Sequence, residues 1–273
     1  MLHLIGIGYK KEHISFEQLE IIKNSEIVFL EYYTSFYQSS FDDLEEFIGK
    51  KVIVANRDLV ESQIETQVIL PAKEKQVCML VIGDPLIATT HTDLLLRAKE
   101  LDVETKTYHN VSIGNFITKT GLQFYKFGKV TSIPFFSEKF MPRTPFLVFH
   151  DNFKMGAHSL FLLDLNPSND VAYKGHAKYL KAGDAFEFLL KIPNLMLENE
   201  EIEEKEALII DEETQGVICS RLGFDDSKIV YGSIGELIAY DKKYELREPL
   251  CIIIPGDMHE MEEEYLKQFS IFQ

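Results

Sequence analysis

Apolar positions in the first part of the chain fall into short blocks, and helical stripes separate them. Residues 2–5 read as a short buried strand that ends in Gly6-Ile7-Gly8. Ser15-Phe16-Glu17-Gln18 has the form of a capping box, in which the Ser15 hydroxyl and the Gln18 amide satisfy orphan backbone groups. Phe16, Leu19 and Ile22 continue it as a helical stripe. Residues 26–31 predict a second strand. Phe41, Leu44, Phe47 and Ile48 predict a helix that Gly49 closes. A third strand is expected over 52–54, then a longer helix opened by Asp58 and ended by Pro71. Residues 76–82 are almost wholly apolar, as in a strand buried on both faces in the middle of a parallel sheet. A helix over 92–101 and a fifth strand over 103–108 follow. This alternation predicts a doubly wound α/β sheet.

The second half has a different pattern. Residues 129–135 read as a strand closed by proline, and 141–145 as a loop leading into a helix. Residues 159–165 predict a strongly buried strand, 166–170 a turn, and about 175–190 a helix. The run 198–206 is acidic and reads as a solvated face. Strands are expected over 207–210, 216–220 and 250–254, the last followed by Pro255-Gly256-Asp257 and a closing helix. The prediction is therefore α/β throughout, in two domains: 1–117 on a mostly parallel sheet and 118–273 on a mixed sheet. A length of 273 residues agrees with two domains.

Composition narrows the class. Apolar residues at 45% and charged ones at 26% are those of a globular chain. Acidic residues number 44 against 28 basic ones, a net charge of −16. Such a chain is a poor ligand for bare nucleic acid, which needs clustered cations; a small ligand or a basic partner suits it. Cys78, Cys219 and Cys251 are scattered and form no C-x-x-C pair, as expected of buried, reduced thiols in the cytoplasm. No apolar run approaches the roughly 20 residues of a spanning helix, and the N-terminus lacks a signal peptide's basic flank and cleavage site. Neither a membrane nor a bound metal is expected.

Three loops carry chemistry. Gly6-Ile7-Gly8 begins a dinucleotide-binding fingerprint, with Glu31 where its ribose-binding acid would stand. The third glycine is missing, since position 11 is Lys11. The first helix also starts too late to hold a pyrophosphate. The glycines would still let backbone come close to a ligand. Gly83-Asp84-Pro85 and its continuation to Asp93 follow the central strand, at the edge where open α/β sheets bind ligands; Thr92 or Asp93 can also cap the next helix. His109-Asn110-Val111-Ser112 lies at the same edge after the fifth strand. The histidines make no zinc-type spacing.

Several segments resemble the diphthine synthase family, a branch of the tetrapyrrole-methylase fold group. They are MLHLIGIG, LEYYTS at 30–35, GDPLIATTHTDL at 83–94, YHNVSIGN at 108–115, GLQFYKFGKVTSIPF at 121–135, GAHSLFLLDL at 156–165, RLGFDDSKI at 221–229 and EPLCIIIPGDMHEMEEEYL at 248–266. The resemblance implies two α/β domains that bind S-adenosylmethionine in a cleft between them. It implies a homodimer that repeatedly methylates the amino group of a 3-amino-3-carboxypropyl-modified histidine on translation elongation factor 2. Carried over residue by residue, the cofactor positions are Tyr9, Asp84, Ile87, Ser112, Ile113, Leu163, Leu222 and Cys251. Tyr9 stands where the family commonly has leucine, and Cys251 where it commonly has histidine.

Methyl transfer from a sulfonium needs alignment above all, and the attacking amine must be neutral. Asp84 is expected to face the donor's positive end or its ribose. His91 and His109 are candidate bases by location only, and neither is assigned as catalytic. Other readings are a corrin, porphyrin-precursor or ribosomal RNA methylase of the same fold group, and a non-catalytic nucleotide sensor or scaffold.

Overall fold

The computed structural model of the chain describes residues 1–33, 35–166 and 177–271. It forms two compact units, one built on Met1–Phe116 and the other on Ile117–Leu165 and the chain from Tyr179 onward. The first unit holds β1 (Leu2–Gly6), α1 (Phe16–Asn24), β2 (Ile27–Glu31), α2 (Phe41–Ile48), β3 (Ile53–Ala55), α3 (Arg57–Ser62), β4 (Val77–Val81), α4 (Thr92–Glu100), β5 (Thr105–Tyr108) and a short helix α5 (Ile113–Phe116). Its sheet is parallel at every pairing, in the order β3-β2-β4-β1-β5. Every residue of the central strands β1 and β4 is buried, which is why these strands read as continuous apolar runs.

Local chemistry sets the helices. The capping box forms at α1: Gln18 N–H donates to Ser15 Oγ (3.2 Å) and Ser15 N–H to Gln18 Oε1 (2.8 Å). The buried face is Gln18 and Ile22, while Phe16 is 90% exposed and lies outside the stripe expected of it. Gly49 ends α2 in the left-handed conformation at φ 68°. The long helix expected from Asp58 to Pro71 is broken. Asn56, whose Oδ1 accepts the Leu59 N–H, caps α3. A single π turn over Glu65–Ile69 follows, then a 3-10 turn that Pro71 starts rather than ends.

The second unit contains β6 (Thr131–Ile133), α6 (Thr144–Lys154), β7 (Ser159–Leu163), α7 (Ala182–Glu198), α8 (Glu204–Ala207), β10 (Gln215–Ser220), β11 (Lys228–Ser233), α9 (Ile234–Tyr244), β12 (Leu250–Ile254) and α10 (Glu260–Leu266). Two further two-residue strands, β8 (Leu165–Asn166) and β9 (Lys178–Tyr179), pair with each other. The main sheet runs β11-β10-β12-β7-β6, antiparallel except for the β6–β7 pair. Phe186, Leu189 and Ile192 of α7 pack in one core with Ile218, Ile252 and Ile254 of the sheet. Burying each such side chain contributes roughly 1.5–3 kcal/mol.

The strand expected over 207–210 is absent: Ala207 closes α8, whose capping box pairs Glu203 with Glu206. Charged residues at the end of the acidic run thus act as a helix start. Strand β11 and helix α9 were not anticipated, although Ser233 and Glu236 form a capping box between them. Most of the turn expected over 166–170, and the start of the helix expected near 175, lie outside the described residues. Among the described residues no helix is long and apolar enough to cross a membrane.

One buried polar cluster pins the C-terminal helix. Glu262 Oε1 accepts from Gln123 N–H (2.8 Å) and His158 Nε2 (3.0 Å), and Oε2 accepts from Lys126 Nζ and His259 N–H. His158 Nδ1 accepts the Gly256 N–H at 2.9 Å, so its proton sits on Nε2. Burial alone would raise the Glu262 carboxyl. The Gln123 N–H and the other donors outweigh it and hold the group down to about 2. Burial lowers His158 below its ordinary value, against the pull of Glu262.

Below pH 6.5 the unfolded chain takes up the His158 proton before the folded one does, so stability falls from there as pH drops. The Glu262 contribution is whole above about 4.5 and is lost as pH falls toward about 2. Urea unfolding between pH 8 and 3 should show this decline. Glu262→Gln should cost about 3 kcal/mol at pH 7 and flatten the part below pH 4.5.

Candidate active site

The carboxyl edge of the parallel sheet gathers four loops, one after each of β1, β2, β4 and β5. The chain leaves β1 for β2 on one side and leaves β4 for β5 on the other. Neighbouring strands whose connections diverge leave a crevice between them, the usual ligand site of such sheets. The loops of β1 and β4 are joined by paired backbone bonds, Gly83 N–H to Gly8 O (2.9 Å) and Gly8 N–H to Gly83 O (3.2 Å). A Cβ on Gly6 would stand 2.7 Å from Gly83 O and 2.8 Å from Pro85 Cδ. Gly6 therefore admits the neighbouring loop, not a ligand. Gly8, at φ 61°, is crowded by His13 in the same way.

Side chains lock this arrangement. Asp84 is buried; its Oδ1 accepts the Leu86 N–H (2.9 Å), and its Oδ2 accepts the Asn110 N–H (3.0 Å) and lies 2.9 Å from His109 Nδ1. A carboxylate offers about four acceptor sites. Asp84 thus spends most of its capacity tying the β4 loop to the β5 loop, and little is left for the donor contact expected of it. Asn110 Nδ2 donates to Gly6 O and His13 O, both at 2.9 Å. Gln18 Nε2 donates to Gly6 O (3.0 Å) and His109 O (3.2 Å). In sequence Asn110 is only one member of a polar loop and Gln18 only a helix cap; their roles here have no local trace, because an amide's partners lie twelve or more positions away.

Tyr9, Ser112 and Gly83 come together. From the position a Gly83 Cβ would occupy, Ser112 Cβ is 3.7 Å away and the Tyr9 hydroxyl 3.8 Å. The Tyr9 ring stands 5.5 Å from that of Phe116. Gly114 brings Ser112 Oγ and the half-exposed Ile87 to within 3.6 and 3.7 Å of its own Cβ direction. Ile113 opens α5 and is half-buried. Five of the eight expected positions therefore lie at this one edge.

Ser112 is buried, and its Oγ has no hydrogen-bond partner among the described residues. Its backbone makes the turn instead: Ser112 O accepts the Asn115 N–H and Ser112 N–H reaches Asn115 Oδ1, both at 3.0 Å. A desolvated hydroxyl without a partner costs about 1–3 kcal/mol and fits a site completed by a polar ligand. Tyr37, in the loop after β2, likewise buries an unpartnered Oη, and burial keeps its phenol protonated. Among the described residues no group of His, Cys, Asp and Glu is placed to hold a metal.

The other three expected residues belong to the second unit. Leu163 ends β7 with its side chain taken up in the core that α7 covers. Cys251 lies opposite Cys219 on one side and Leu162 on the other. Directly paired residues share a face, so Leu162, and not Leu163, accompanies Cys251. The bond from Cys251 together with burial pushes the Cys219 thiol well above its ordinary value and keeps it protonated. Leu222 is buried in the turn after β10, between Arg221 and Gly223, both at positive φ.

Comparison with known proteins supplies the chemistry. Residues 1–238 match the family model of tetrapyrrole (corrin/porphyrin) methylases. A diphthine synthase of Methanocaldococcus jannaschii is 37% identical over 270 residues, 98% of each chain. A diphthine methyl ester synthase of Yarrowia lipolytica is 36% identical over 279 residues, 99% of this chain and 89% of its own. The chain belongs to the diphthine synthase branch of the tetrapyrrole methylases. A crystal structure assigned as a diphthine synthase from Entamoeba histolytica superposes with a TM-score of 0.84 at 34% identity, over 100% of this chain and 99% of that one. Family membership makes the chain a methyltransferase that uses S-adenosylmethionine. It also removes the nicotinamide reading of Gly6-Ile7-Gly8 with Glu31, a residue wholly buried in this branch member.

Replacing Ser112 by alanine separates a ligand role from a structural one. Because no bond is lost, Ser112→Ala should leave thermal stability unchanged or raise it by about 1 kcal/mol. Calorimetry should show weaker S-adenosylmethionine binding, by about five- to tenfold.

Proposed function

We propose that the chain methylates, in repeated turnovers, the amino group of the 3-amino-3-carboxypropyl-modified histidine of translation elongation factor 2, a step of diphthamide biosynthesis. The observation that carries this reading is the end-to-end match to diphthine synthases and diphthine methyl ester synthases. The unpartnered Ser112 hydroxyl at the sheet's switch point supports it by marking where a polar ligand fits.

In this reading Tyr9, Asp84, Ile87, Ser112 and Ile113 hold the donor in the first unit, and Leu163, Leu222 and Cys251 contribute donor contacts in the second. S-adenosylmethionine, when bound, supplies a methyl carbon already activated by a sulfonium leaving group. Ser112 Oγ gains its missing hydrogen bond from the ligand. Ile87 and Ile113 give the apolar wall, and Asp84 acts mainly by keeping the loops of β4 and β5 in register. The acceptor amine has an ordinary value near 10 and must lose its proton to attack; exclusion of water by these side chains favours its neutral form. His91 is buried and unsuited to collect that proton, while the His109 side chain is 68% exposed.

The charge of −16 suits a basic docking partner. The reading includes a homodimer working in the cytoplasm. Identity does not separate the two product types, since relatives of both names match this chain almost equally.

The deciding experiment incubates the chain with labelled S-adenosylmethionine and elongation factor 2 bearing the modified histidine. Label should enter that histidine, with a mass gain of three methyl groups, or four where the ester also forms. Donor binding without turnover would instead favour a sensor or scaffold, and labelling only of a corrin precursor or ribosomal RNA would favour another member of the fold group. Association with the factor should slow as salt rises.

A further inference from the structure

His91 and Glu31 form a buried pair behind the loop of β4, and no donor contact accounts for them. Glu31 ends β2 with no exposed surface, and His91 is 3% exposed at the start of α4. His91 Nδ1 lies 3.0 Å from the Pro85 carbonyl oxygen. A carbonyl only accepts, so Nδ1 carries the proton. The same oxygen also accepts from Thr89 Oγ1 at 2.6 Å. On the other side of the ring, Nε2 faces Glu31 Oε2 at 4.0 Å. Glu31 Oε1 in turn accepts the Tyr33 N–H at 3.1 Å.

These contacts connect two loops of the edge. The loop of β4 bends sharply between Pro85 and His91, with Ala88 at φ 57°, a conformation that costs an L side chain about 1–2 kcal/mol. Such a bend persists only where its surroundings impose it, and here the two donors on Pro85 O do so. Tyr33 begins the segment that returns to the site at Gln38, whose N–H donates to Tyr9 O at 2.8 Å. Ile87 on one loop and Tyr9 behind the other are both proposed donor contacts. The imidazole bonds the Pro85 carbonyl on one side and faces, at 4.0 Å on the other, the carboxylate that accepts the Tyr33 N–H.

We infer that His91 is a positioning residue for donor binding: backed by the Glu31 carboxylate behind its ring, it bonds Pro85 O and holds the loop of β4 in the bent form that presents Asp84 and Ile87. The inference rests on the proposed S-adenosylmethionine site. Its test therefore begins with calorimetry on the unaltered chain, where absence of binding would defeat that reading and this inference with it.

With binding established, His91→Ala should weaken donor affinity by about tenfold. The donor's KM should rise in step, while kcat changes less than about threefold. His91→Asn keeps an amide N–H near the Nδ1 position and should restore affinity to within about threefold of the unaltered chain. Hydrogen exchange at residues 86–90 should accelerate in the alanine variant and not in the asparagine one. Glu31→Gln, read in the same way, decides the matter should His91→Ala fail to fold; it is expected to weaken donor binding by about threefold or more. Unchanged affinity in a folded His91→Ala or Glu31→Gln protein, or an asparagine variant no better than alanine, overturns the assignment.

Discussion

The first unit depends on how closely the loops of β1 and β4 can approach. Two adjacent parallel strands end together, and their onward connections must diverge without leaving a hole. Gly6 permits this by lacking a side chain, since a Cβ there would overlap both Gly83 O and Pro85 Cδ. The exposed backbone groups are then satisfied one by one. Gly6 O receives the Gln18 and Asn110 amides, Gly8 and Gly83 bond to each other, and Asp84 takes the Leu86 N–H of its own loop and the Asn110 N–H of the β5 loop. Almost every polar atom at the edge has a partner. That is why the unpartnered Ser112 and Tyr37 hydroxyls carry weight: they stand out against a background of polar atoms that mostly have partners among the described residues.

The second unit solves a different problem. Its sheet is antiparallel but for one pair, and its α7 face supplies the core. The closing helix is held by charge as well as by the buried Leu266, through Glu262 and the donors that surround it. Removing water from that carboxylate is costly, and only full coordination offsets it. Cys219 and Cys251, facing each other across β10 and β12, act as small apolar side chains in this setting.

Two features of the site changed meaning once the chain was folded. The glycine pair after β1 looked like room for a ligand and proved to be room for another loop. Asp84 looked like a ligand contact and proved to spend most of its oxygens on the protein itself. In both cases the residue type was informative and its partner was not, because a two-residue glycine pattern serves any close approach and a buried carboxylate serves any set of N–H groups. Leu163 shows the same limit from the other direction. The resemblance places it at the cofactor, but strand alternation turns its side chain into the core.

The amino-acid sequence by itself determined the strand–helix alternation of the first unit, the capping boxes at Ser15 and the closure of α2 by Gly49, and the family. These are legible because burial periodicity and capping act over a few residues, and because long motifs such as GDPLIATTHTDL are specific. Tertiary structure alone decided that the segment from Asp58 breaks at Gln63, that residues 207–210 stay out of the sheet, and that β11 forms its far edge while α9 joins α7 over the core. It alone brought His91 to Glu31 and Asn110 to Gly6. Those outcomes depend on which groups lose water together, and pairs separated by tens of residues in the chain meet only when the sheet edge has formed.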